Sequence, residues 1–65
     1  MKKTQELYHI IRKDDETGAR LYIASVRDIY TGMAGTLNIS ARSKSATIDF
    51  LRRHGIRCPH RAYRN

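Results

Sequence analysis

Three signals between Ser43 and Ile56 agree on one helix, and their agreement commits the chain to a fold that closes on it. Ser43 or Ser45 can cap the first turn, its hydroxyl accepting from a backbone amide that has no partner inside the helix. Thr47, Phe50, Leu51 and His54 fall at i, i+3, i+4 and i+7 with Ile48 beside them, which makes one apolar stripe to lay on a sheet. Gly55 stands where a left-handed residue ends a helix, and Ile56 beyond it can touch Leu51 in a Schellman closure. Arg52, Arg53 and His54 crowd the last turn, where the negative end of the helix dipole favours cations. The spacing predicts a helix from about Lys44 to His54.

The residues before it read as strands. Leu7 to Lys13 is β-branched and aromatic at its centre, and Asp14-Asp15-Glu16-Thr17-Gly18 then supplies turn residues, with Gly18 able to take the left-handed conformation that closes a hairpin. Ala19 to Tyr30 carries Leu21, Ile23 and Ile29 on one parity and Tyr22, Ala24, Val26 and Tyr30 on the other, as a central strand does. Thr31-Gly32-Met33-Ala34-Gly35 breaks the pattern. Thr36 to Arg42 then alternates, with Leu37, Ile39 and Ala41 expected inside and Thr36, Asn38, Ser40 and Arg42 in water. Strand, strand, strand, helix gives an α+β class: a small three-stranded antiparallel sheet with one C-terminal helix on one face. This order, over residues 6–55, resembles the arm-type DNA-binding domains of tyrosine recombinases, and the resemblance implies a DNA partner.

With 65 residues only one modest core can form. Leu21, Ile23, Leu37, Ile39, Ile48, Phe50 and Leu51 are the residues expected to fill it. Residues 1–56 are read as the single domain. Pro59 opposes any continuation of the helix, so residues 57–65 are expected to form a basic extended tail.

Charge is unevenly placed. The chain has 13 Lys and Arg against 6 Asp and Glu, a net +7. Arg42, Lys44, Arg52, Arg53, Arg57, Arg61 and Arg64 face Asp49 alone in residues 42–65, so this third carries +6 of the total. Six of those seven cations are arginine, whose planar fork pairs with phosphate and keeps its charge at any relevant pH. Nucleic acid is the expected partner, with Arg42 and Lys44 at the helix start, the other arginines on phosphates, and Tyr63 stacking between Arg61 and Arg64. Tyr8, Tyr22 and Tyr30 could add a stacking platform if they shared the open sheet face, whereas cross-strand core pairs are the reading preferred for Tyr22.

Catalysis and metal binding find less support. His54, Cys58 and His60 lie within seven residues, but no second ligand pair matches them at zinc spacing. Cys58 beside either histidine lacks a rigid third group to orient a base. Asp14, Asp15 and Glu16 are the acids of a solvated turn, and Thr31 to Gly35 lacks the Gly-Lys-Ser/Thr ending of a phosphate cradle. No cofactor, metal or small-molecule substrate is expected, and so small a chain leaves few residues to build a pocket for an enzyme. The lone Cys58 points to a reducing, cytoplasmic compartment, and no apolar run is long enough to span a membrane. The alternative to nucleic acid is a protein partner: a small inhibitor or adaptor that docks its basic face on a larger enzyme, or adds a free sheet edge to it.

Overall fold

The computed structural model describes residues 4–63. Strands β1 (Gln5–Asp14), β2 (Arg20–Asp28) and β3 (Ala34–Ser40) form one antiparallel sheet in the order β1-β2-β3, followed by helix α1 (Lys44–Arg53) and a 3-10 turn at His60–Ala62. The class is α+β, as the element order predicts.

Each hairpin is closed by an aspartate and a glycine. The Asp15 carboxylate accepts from the Thr17 amide at 2.9 Å, the Thr17 hydroxyl at 2.7 Å and the Ala19 amide at 2.9 Å, and Gly18 takes φ +84°. These donors hold the Asp15 carboxyl below the usual aspartate range, the Thr17 hydroxyl contributing most. At the other hairpin Asp28 accepts from the Tyr30 amide at 2.8 Å, the Thr31 amide at 3.0 Å and the Thr4 hydroxyl at 3.0 Å.

The register decides which face of β2 is buried. Leu7 pairs with Val26 and Ile10 with Ala24, and between Leu7 and His9 the register slips by one residue at Tyr8. That bulge turns Leu7 and Ile10, three apart in sequence, onto the same face. Their partners follow them, so Tyr22, Ala24 and Val26 lie under the helix in the core with Leu7, Ile10, Ile39, Ile48, Leu51, Ile56 and Ala62. Leu21 and Ile23, expected in the core, lie on the opposite parity and are only half-buried. Ile39, Ile48 and Leu51 are buried as expected, but Leu37 is 42% exposed and Phe50 is 45% exposed. Leu37 shares its parity with Ile39 and is left open because α1 covers only the Ile39 end of β3. Phe50 sits on the flank of α1, and Thr47, Ile48 and Leu51 are the residues the helix turns inward.

The helix ends agree closely with the sequence signals. The Ser43 hydroxyl accepts from the Ala46 amide at 3.1 Å. Gly55 takes φ +79°, its amide donates to the Arg52 carbonyl at 3.0 Å, and the Ile56 amide donates to the Leu51 carbonyl at 3.0 Å. This Schellman closure drives Ile56 into the core beside Leu51 and aims the chain at β1.

Residues 57–63 are not an extended arm. The Leu7 amide donates to the Arg57 carbonyl at 2.8 Å and the Arg57 amide donates to the Gln5 carbonyl at 3.0 Å, a short parallel pairing on the outer edge of β1. Pro59 then leads into the 3-10 turn, which buries Ala62 in the core. Unpaired amides and carbonyls on β1 are what the segment satisfies, so the backbone has a reason to fold back that its basic side chains conceal. Arg64, expected to extend the tail, lies outside the described residues.

Candidate nucleic-acid interface

The basic side chains of the C-terminal third are distributed around α1 and the segment that follows it. Arg52 stands between two shallow clefts, one lined with Lys44, Ser45, Asp49 and Tyr63 and the other with Ile56, Arg57, Cys58 and Pro59. Arg42 and Arg53 lie on the other flank of the helix, lining a cleft with Ile39 and Phe50. The expected residues therefore line clefts on both flanks of α1, those of one flank meeting at Arg52, rather than a helix and a separate arm.

Their partners divide them into two groups. Arg61 is committed: its guanidinium meets the Glu6 carboxylate at 2.8 Å, and the Glu6 side chain is only 9% exposed. Among the described residues the one other ion pair is Arg12 with Asp14 at 3.0 Å, so Arg42, Arg52, Arg53 and Arg57 have no carboxylate partner there. Asp49 is the one acid lining the clefts around them. Arg42 also ties β3 to β2, its carbonyl accepting from the Arg20 guanidinium.

Tyr63 does not stand free between arginines. Its hydroxyl accepts from Arg52 at 3.1 Å, and its ring meets the His60 ring edge-on at 5.3 Å while packing on the core. That geometry positions the Arg52 guanidinium at the junction of its two clefts and leaves the Tyr63 ring partly buried. The sheet platform is also not assembled. Tyr22 is buried under the helix, Tyr30 is in the β2–β3 turn, and Tyr8 alone remains, 45% exposed, with the Arg27 guanidinium 5.7 Å from its ring centre.

The groups weighed for chemistry are dispersed. His54 packs on Phe50 with ring centres 4.3 Å apart, His60 packs on Tyr63, and among the described residues no three His, Cys, Asp or Glu side chains converge. The Cys58 thiol donates to the Ile56 carbonyl at 3.5 Å, and burial pushes its pKa up against the opposing pull of Arg52. No helix among the described residues is long and apolar enough to cross a membrane.

Sequence reasoning missed Glu6, which no local pattern marks because its partner is 55 residues away. It also missed the Arg52–Tyr63 bond, which an i to i+11 spacing across a proline does not announce. Comparison of the chain with protein-family models, with curated proteins and with solved structures found no match in any of the three.

Proposed function

We propose that this chain is a small non-enzymatic binding module that holds the phosphate backbone of a nucleic acid against α1 and residues 52–57, in the reducing environment of a cytoplasm. The observation that carries this reading is the set Arg42, Arg52, Arg53 and Arg57, four arginines without carboxylate partners among the described residues, beside clefts in which Asp49 is the one acid. Holding like charges together on a small surface costs energy that a polyanion recovers by releasing its condensed counterions. With Tyr63 held by Arg52 and His60, and Phe50 packed on His54, the surface offers chiefly charge and forked donors, which supports contacts to the phosphate backbone.

A protein partner is the second reading, favoured by Met33 and Tyr30, 76% and 70% exposed in and beside the β2–β3 turn. Salt dependence separates the two. Four phosphate contacts predict a slope of log affinity against log salt of about −3.6 on duplex DNA, and Arg52→Ala, Arg53→Ala and Arg57→Ala together should flatten it by about 2.7. If the triple variant binds DNA and RNA as the parent does, or the parent binds neither at low salt, the nucleic-acid reading fails.

A further inference from the structure

We infer that two copies of this chain join through β3, antiparallel about a two-fold axis at Leu37, to make one continuous six-stranded sheet. The inference is independent of nucleic acid and rests on the sheet edges and on two complementary surfaces at opposite ends of one strand.

The two edges differ. Residues 57–63 pair with the Gln5–Leu7 end of β1, and Arg12, Lys13 and Asp14 charge the far end of that strand, whereas β3 pairs only with β2 among the described residues. Edge strands are commonly protected from pairing by charges or proline, yet from Ile29 to Ala41 this chain has neither. In a molecule of net +7 this uncharged run is where two copies can approach without setting arginine against arginine.

The complementarity comes from the slant of α1. At the Ile39 end of β3 the helix covers the strand, and Phe50, 45% exposed, projects on the flank beside Ile39 and Ala41. At the Gly35 end the strand is bare, and Val26, Met33, Gly35 and Leu37 line an apolar groove of about 460 Å³. An antiparallel pairing centred on Leu37 sets residues 39 and 41 of one copy opposite residues 35 and 33 of the other. Phe50 of each copy thereby meets the groove of its partner, and the two-fold makes both contacts at once. The charges do not oppose this approach. Arg27 and Asp28 both line the groove and offset one another, so it carries no net charge against the Arg42 and Arg53 that line the flank from which Phe50 enters.

Sedimentation equilibrium of the full chain, from about 10 µM to about 1 mM and without nucleic acid, tests the inference. The expected mass at the upper end is twice the 7.5 kDa of one chain. Phe50→Glu should weaken association by at least about tenfold, as loss of a central aromatic anchor does. Met33→Glu, at a residue 76% exposed, gives the same test should the Phe50 variant fail to fold. A Leu37→Cys variant carrying Cys58→Ser should also close an intermolecular disulfide, because facing residues of paired strands lie about 4.5–5.5 Å apart at Cα. Thr17→Cys in the same background should not. A chain that stays at 7.5 kDa throughout, a dimer indifferent to both glutamate variants, or equal cross-linking through residue 17 overturns the inference.

Discussion

Leu51→Ala and Phe50→Ala together test which side of α1 faces the sheet. The two residues are consecutive, about 100° apart around a helix of 3.6 residues per turn, and the structure assigns them opposite fates. Leu51 is 0% exposed and touches the core on all sides, so its truncation leaves a cavity and should cost about 2–5 kcal/mol. Phe50 keeps 45% of its surface in solvent and borders an open cleft, so Phe50→Ala leaves no closed void. Scaling the usual Phe→Ala loss by the buried half, without the cavity contribution, gives about 1–2 kcal/mol. A domain of this size is stable by about 3–10 kcal/mol in all, so the larger loss removes much of the folded margin. At about 4–8 °C per kcal/mol, a 3 kcal/mol loss at Leu51 lowers Tm by about 12–24 °C. Thermal and urea unfolding followed by far-UV circular dichroism would read both, at about 5 µM so that self-association adds little. A Phe50→Ala variant as damaged as Leu51→Ala, or more so, would refute the packing described above.

Two further outcomes follow from the turns and the C-terminal segment. Truncation after Ile56 removes two backbone bonds from β1, the Ala62 methyl from the core and the Glu6–Arg61 pair, discounted because Arg61 is largely exposed; it should cost about 2–4 kcal/mol. Hydrogen exchange at the Leu7 amide should accelerate with it, and unchanged melting would restore the segment to a free arm. The Asp28 carboxyl lies below the ordinary aspartate range because the Thr31 and Tyr30 amides and the Thr4 hydroxyl donate to it. A lowered folded-state pKa stabilises the fold above the unfolded value and ceases to do so as pH falls through the folded one, so the parent should lose more stability than Asp28→Asn on acidification through that range. Parallel acid melting curves for the two proteins would contradict this.

The sequence was most readable where a signal is local. Ser43, Gly55 and Ile56 act within one or two turns of the helix they delimit, and they do so as their side chains and backbone freedom require. Gly18 closes its hairpin for the same reason. The parity of β2 was not readable, because both of its faces are apolar and the choice between Leu21 with Ile23 and Tyr22 with Ala24 depends on a bulge in the neighbouring strand. Phe50 carries more apolar surface than Leu51, yet burial follows where the helix crosses the sheet. In the site, arginine content pointed to the helical side of the molecule. The fate of Arg61 and Tyr63 depended on Glu6 and Arg52, contacts that exist only once the chain has folded back.

The pairing of Arg57 with β1 also orders events during synthesis. Chains elongate at about 5–20 residues per second, so residue 63 is added about 1–5 s after the last residue of β3. Through that interval β1 presents an edge strand whose amides have no cover, and Leu7 and Ile10 have no helix over them. Folding therefore finishes by joining the first strand to the last described segment, a contact of long sequence separation that is slow to find. The nascent chain is at its most vulnerable to pairing with a neighbour on the same message just before Arg57 arrives, and anything that delays the residues after Gly55 lengthens that exposure.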